Sequence, residues 1–307
     1  MSQLLKAIDS VLESTEIWKD VKDGIWGLST GFPSIDKLLG GVHNGEYTIL
    51  AARTSQGKSA LAVQIAREIS INLLVKTRET GEDAGRVLYF SPEMTSDQLV
   101  QRIASNISEV SSTTVKAGKA SEDELDRWRR ALNSIRKIDP HFVLHSGESM
   151  DVMDIKHSVE VASNIGSPIK LVVIDYLQRL AAGQVRDAYE RANIISATLK
   201  DITNKHNIPL IVLSQLNRGA DRTGKGKDGE EEDRPPKLSD LRDSGRIEED
   251  ADAVWLLHRP NAVQKYSGTG EEQPQAATLQ VAKNRNGRIG TLGLYFNPDI
   301  ATFEDFG

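Results

Sequence analysis

The stretch Ala52-Arg53-Thr54-Ser55-Gln56-Gly57-Lys58-Ser59 follows directly on the apolar run Tyr47-Thr48-Ile49-Leu50-Ala51, and it restricts the chain to few folds. An apolar strand, a glycine turn, then Lys-Ser at the head of an amphipathic helix (Leu61, Ile65, Ile69) is how proteins cradle a phosphate. Backbone amides of the loop face the anion, the lysine reaches the terminal phosphates, and the hydroxyl can hold a magnesium ion. The expected nucleotide contacts are Ser55, Gln56, Gly57, Lys58, Ser59 and Ala60. The usual pattern opens on glycine, where this chain has Ala52. A bare Gly-Lys-Ser is most often an ordinary helix start, so the assignment depends on companions.

Those companions lie at the ends of further apolar runs. Val87 to Phe90, Phe142 to Leu144, Leu171 to Ile174, Leu210 to Leu213 and Val254 to Leu257 are continuous rather than alternating. They read as strands covered on both faces, which predicts an α/β fold with a mostly parallel twisted sheet flanked by helices. Capping boxes predict helices beginning at Thr95 and Ser121, and another helix is expected from about Ala188 to His206. Glu93, Asp175 and Gln215 follow three of the runs. Open α/β sheets bind ligands beyond the carboxyl ends of their strands. Asp175 suits a water-mediated magnesium ligand, Glu93 a base for an attacking water, and Gln215 a hydrogen bond to a terminal phosphate. Taken singly, Glu93 equally suits a solvated turn residue and Gln215 a cap.

Three other segments stand apart. Leu4, Ile8, Val11, Thr15 and Trp18 form a helical stripe, with Leu5 and Leu12 beside it. Residues 1–25 are therefore expected as a detached amphipathic helix and connector, with one globular domain over 26–307. The helix could fold back on its own domain or dock on another subunit. Asn217 to Lys237, rich in Gly, Pro and charge, is expected to be a loop. Lys283 and Arg285 close a strand-like segment before Asn286-Gly287, a hairpin signal. Such cations are usually solvated, but in a ring of subunits they can enter a neighbour's nucleotide site.

The net charge of -6 excludes a globally basic nucleic-acid binder, so any such surface must be local. The chain has no cysteine, which excludes disulfides and cysteine-ligated zinc and fits a reducing cytoplasm. No signal-peptide pattern or membrane-length apolar run is evident, and a cytoplasmic protein is expected.

The order of elements resembles the motor domain of replicative hexameric helicases of the DnaB family, within the RecA-like P-loop NTPases. The matching pieces begin with G-L-S-T-G-F-P-S-I-D-K-L-L-G-G from Gly27, A-R-T-S-Q-G-K-S from Ala52 and S-P-E-M from Ser91. L-V-V-I-D-Y-L-Q from Leu171 and S-Q-L-N-R from Ser214 continue the series. S-D-L-R-D-S-G-R-I-E-E-D-A-D from Ser239 and K-N-R-N-G-R-I-G from Lys283 are the most specific, and T-F-E-D-F closes it. That family also carries alanine at the position of Ala52.

The resemblance implies ATP with Mg2+ as ligands and an ATP hydrolase that unwinds DNA at a replication fork. Lys58 and Ser59 would bind phosphate and metal, Glu93 would be the base, Asp175 the Walker-B acid and Gln215 the phosphate sensor. Lys283 and Arg285 would act on the neighbouring subunit's ATP. Arg242, Asp243 and Gly245 would line a central channel holding single-stranded DNA, with Arg186 on a second channel loop. The N-terminal helix would be the linker that packs on the adjacent protomer of a hexameric ring. A loader and a primase are possible partners. The family's collar-forming N-terminal domain has no counterpart here, as in a motor segment or a minimal helicase of a phage or mobile element. A recombinase of the RecA or RadA type shares the same core motifs but would form filaments, and the lack of cysteines removes the RadA-type zinc finger. A non-helicase ATPase switch could use the same core and would not need the D-L-R-D-S-G loop.

Overall fold

The computed structural model describes residues 24–147, 150–216, 234–260 and 275–306, with Leu4, Leu5, Ile8, Val11, Leu12 and Thr15; the side chains of residues 242–245 fall outside this set. After helix α1 (Pro33–Leu39), strand β1 (Tyr47–Ala52) leads into the long helix α2 (Lys58–Thr80). β2 (Arg86–Ser91) is followed by α3 (Ser96–Ser108), α4 (Ser112–Lys116) and α5 (Glu122–Ile138), then by β3 (Phe142–Ser146). β4 (Met150–Asp151), α6 (Val152–Asn164), β5 (Ile169–Ile174) and β6 (Leu180–Ala181) come next. α7 (Ala188–His206), β7 (Leu210–Gln215), α8 (Gly245–Asp250) and β8 (Ala253–His258) precede three final strands. These are β9 (Gln275–Asn284), β10 (Gly290–Asn297) and β11 (Thr302–Asp305).

The main sheet has nine strands in the order β11-β10-β9-β8-β1-β7-β5-β2-β3, and β4 and β6 form a separate pair. From β3 to β8 neighbouring strands are parallel, whereas β9, β10 and β11 extend the sheet antiparallel. Each expected central strand is present. All six residues of β1 are buried, because alternate side chains enter two cores. Leu50 and Ala52 join the layer under α1, α2 and α3; Tyr47, Ile49 and Ala51 join the one under α6 and α7.

Local chemistry accounts for the helix starts. Thr95 and Ser121 close the expected capping boxes with Gln98 and Glu124. α7 spans the expected residues, capped by Asp187. In the S-T-G-F-P-S-I-D segment, buried Asp36 accepts hydrogen bonds from the Thr30 amide (2.9 Å) and hydroxyl (2.7 Å) and the Ser29 hydroxyl (2.6 Å). The Ser34 amide donates to Asp305 at 3.1 Å, tying α1 to β11. Among the described residues, no helix is long and apolar enough to cross a membrane.

Candidate nucleotide site and nucleic-acid face

The turn after β1 takes backbone conformations that a phosphate loop needs. Gly57 has φ 95°, and a Cβ there would stand 2.8 Å from Phe303, so glycine serves both conformation and close packing. Ser55 also has a positive φ, 63°. Ala52, by contrast, is the last residue of β1, in register with Gln215 and fully buried. A strand position does not require glycine, which explains the departure from the usual loop pattern.

A cleft of about 450 Å3 opens over this turn, lined by residues 54–60, Glu93, Arg102, Tyr176, Gln215 and Arg259. All six expected nucleotide contacts border it. Lys58 heads α2 and lies 5.8 Å from the centre of the Tyr176 ring. Burial pulls its ammonium below the usual lysine range, and the carboxylates of Asp175 and Glu93 pull the other way.

Asp175, immediately after β5, is fully buried behind the cleft's lining, beside Lys58 and Ser59. Tyr89 donates to its Oδ2 at 3.1 Å, while Oδ1 is buried without a hydrogen-bond partner. Burial pushes this carboxyl up, against hydrogen bonding from Ser59 and Tyr89 and the charge of Lys58. A buried, incompletely satisfied carboxylate beside a serine hydroxyl fits a hard cation. Among the described residues, no cluster of three or more His, Cys, Asp or Glu side chains could enclose a metal. A divalent ion here would draw its remaining ligands from water and phosphate oxygens.

Glu93 reaches the cleft through the turn after β2. The Ser91 hydroxyl receives the Met94 amide at 3.1 Å and donates to the Met94 carbonyl at 3.2 Å, so the exposed Glu93 is displayed by a pinned turn. Gln215, ending β7, donates to the Thr54 hydroxyl at 2.8 Å. A residue at one strand end therefore touches the phosphate loop at the next.

Sequence reasoning missed the lining residues Arg259 and Arg102, and Gln178 outside the lining. Arg259, just past β8, stacks its guanidinium 4.0 Å from the Phe296 ring centre and bonds Gln56 and the Ser55 carbonyl. It braces the phosphate loop from the far side. Arg102, on α3, lines this cleft and a neighbouring cavity. Gln178, after β5, bonds the backbone of Gln215.

Lys283 and Arg285 lie elsewhere. The Arg285 amide donates to the Asp252 carbonyl at 2.9 Å, and its guanidinium pairs with the Asp252 carboxylate at 3.3 Å. Lys283 bonds the Glu248 carbonyl, with its ammonium pulled down by burial and by Arg285. Asp252 accepts the Tyr47 amide at 2.9 Å, so this cluster sits at the start of β1. The phosphate loop is at its other end, roughly 20 Å away at ~3.3 Å per residue. Both cations stand at the end of the strands opposite their own cleft.

Three of the expected channel residues fall on one turn, and Arg186 lies on a separate segment. Leu238–Ser244 forms a 3-10 turn leading into α8, which places Arg242, Asp243 and Gly245 on that junction; their side chains lie outside the described residues. Arg186 is exposed beside the start of α7. Its neighbour Asp187 and Arg242's neighbour Leu241 line one cleft of about 380 Å3, together with Gln178 and Gln215. Within the turn, Asp240 is held by two hydrogen bonds from Arg234, at 2.9 and 3.0 Å. Those bonds and the Lys237 amide keep its carboxyl below the usual range, against the opposing effect of burial, which is the largest influence on it. Residues 217–233 of the expected loop, and Trp18 with residues 19–23 of the connector, lie outside the described residues.

Comparison with known proteins agrees with this arrangement. The DnaB-like helicase C-terminal domain model matches residues 27–305. The replicative DNA helicase DnaB of Rickettsia typhi is 32% identical over 300 residues, covering 92% of this chain and 57% of that protein. The chain thus spans little more than half the length of such relatives. Among solved structures, the ATPase domain of G40P superposes with a TM-score of 0.80 at 26% identity, covering 100% of both chains. A DnaB-like replicative helicase, solved in a study of its interactions with primase, gives 0.78 at 26% identity, with 100% of this chain and 68% of that one covered. The expected RecA-like architecture is the one observed, and the chain belongs to the DnaB-like helicase C-terminal domain family.

Proposed function

We propose that this chain is an ATP-driven, ring-forming motor that translocates on single-stranded DNA and unwinds duplex DNA. One observation carries the reading. Lys58, Ser59, Glu93 and Gln215 line one cleft, with Asp175 of a further strand end buried beside Lys58 and Ser59, while Lys283 and Arg285 are held at the opposite end of the strands. A site whose completing cations face away from it suits assembly head to tail, each subunit finishing its neighbour's site.

In this reading Ser55 to Ala60 bind the phosphates of ATP, and Ser59 with Asp175 would hold Mg2+. When bound, the ion supplies charge neutralisation on the phosphate oxygens. Glu93 orients and deprotonates the attacking water. Gln215 senses the terminal phosphate, and the neighbour's Arg285 and Lys283 stabilise charge on the transferring group. Arg242, Asp243, Gly245 and Arg186 grip the DNA backbone, which makes binding insensitive to sequence. The ring would be a hexamer acting at a replication fork in the cytoplasm, with a loader and primase as further partners.

The N-terminal segment is the proposed linker. Leu4, Ile8 and Val11 are 70%, 44% and 56% exposed on their own chain. Burying such side chains on a neighbour contributes about 1.5–3 kcal/mol each before entropic costs. Deletion of residues 1–21 is expected to leave a folded subunit that binds nucleotide but assembles poorly. Unchanged mass by native mass spectrometry, or wholesale unfolding by circular dichroism, would place the helix on its own domain instead.

The reading is tested by unwinding of a forked duplex with the full chain and ATP. Strand displacement that requires ATP hydrolysis is expected; hydrolysis with no displacement contradicts it. In the same assay series, Arg242→Ala should weaken single-stranded DNA binding alike for all sequences. It should also flatten the dependence of log K on log salt by about 0.7, the share of one phosphate contact. A loss confined to particular sequences would indicate base readout.

A further inference from the structure

We propose that Gln178 is the positioning residue for Gln215, and that through it the nucleotide cleft is coupled to the turn carrying Arg242. The inference rests on the motor reading above and adds a residue to it. β5 accompanies β7 only as far as Ile174 opposite Val212, whereas β1 continues alongside to Ala52 opposite Gln215. Beyond Val212, one flank of β7 therefore lacks a strand neighbour. The Gln178 side chain fills that place. Its Oε1 accepts the Gln215 amide at 3.1 Å, and its Nε2 donates to the Gln215 carbonyl at 3.1 Å and the Ser214 hydroxyl at 3.0 Å. A carboxamide is suited to this, since it offers donor and acceptor in one plane as a peptide group does.

With its backbone gripped on both flanks, Gln215 has only its side chain free to respond. That side chain reaches Thr54 of the phosphate loop. Gln178 does not border the phosphate cleft, so it acts through Gln215 and not on nucleotide. It does line the adjoining cleft with Asp240 and Leu241, the two residues before Arg242. Gln178 follows Asp175 by three residues, so its amide stands between the end of β5 and the proposed phosphate sensor and borders the cleft that the proposed DNA turn also lines.

The test compares Gln178→Leu, which removes both hydrogen-bonding functions, with Gln178→Glu, which keeps the acceptor but cannot donate. Steady-state ATPase is measured with and without oligo-dT, alongside the thermal midpoint. Both variants are expected to keep basal turnover within roughly threefold and to lose DNA stimulation on the order of fivefold or more, the scale of a coupling between sites. Basal and stimulated rates falling together, with their ratio intact and the midpoint lowered, would show a merely structural role and overturn the proposal. Failure of both variants to fold would do the same. If the unsubstituted chain hydrolyses ATP but DNA does not stimulate it, the DNA-motor reading falls and takes the proposal with it. Stimulation retained in the variants overturns the role of Gln178 alone.

Discussion

Glu93→Gln is expected to bind ATP and single-stranded DNA like the parent chain while turning over roughly 100-fold more slowly or worse. General-base catalysis contributes at least that factor, and the amide cannot accept the proton of the attacking water. The substitution is close to isosteric at an exposed position. The turn that displays it is pinned by Ser91 and Met94, not by the glutamate itself. Folding and nucleotide affinity should therefore survive. A steady-state ATPase assay paired with fluorescent-nucleotide titration separates the outcomes. Turnover within a few-fold of the parent chain would remove Glu93 as the base. A parallel collapse of nucleotide binding would make it a binding residue.

The second large effect concerns Arg285, whose placement bears on how much of the site could be read from sequence. The central strands were legible because burial on both faces demands unbroken apolar runs, and β1, β2, β5, β7 and β8 carry them. Helix starts were legible where the cap chemistry was standard, as at Thr95 and Ser121. α6 was not: its box pairs Asp151 with Asp154, outside the Ser/Thr and Glu/Gln pattern. β10 and the edge strand β11 were missed because strands with one solvated face carry no such run; their burial is mixed along both.

The candidate site divides in the same way. Lys58, Ser59, Glu93, Asp175 and Gln215 each lie at or shortly after the carboxyl end of a strand, so the order of apolar runs located them. Arg259 and Phe296 belong to the cleft only because β8 and β10 end beside the phosphate loop, a consequence of sheet order that local sequence does not encode. Gln178 was quoted within L-V-V-I-D-Y-L-Q, yet its importance depends on β5 ending earlier than β7. That is a matter of strand register, set by tertiary pairing. The position of Lys283 and Arg285 at the opposite end of the strands follows from β9 running antiparallel to β8, again a topological fact.

That position makes the ring claim testable by complementation. Arg285→Ala leaves its own phosphate loop intact, so it is expected to bind ATP and hydrolyse it poorly. Lys58→Ala has a damaged loop and an intact Arg285. Loss of an arginine finger typically costs about 1000-fold or more in turnover, so each pure variant should sit near background. In mixed assemblies, some interfaces join Lys58 of one subunit to Arg285 of its neighbour, and ATPase should reappear there. Subunit exchange is verified first with labelled chains. The decisive measurement is the ATPase rate of the exchanged mixture. A rate well above both pure variants is what trans completion of the site predicts. A rate at the variant baseline, with exchange demonstrated, would contradict the ring mechanism.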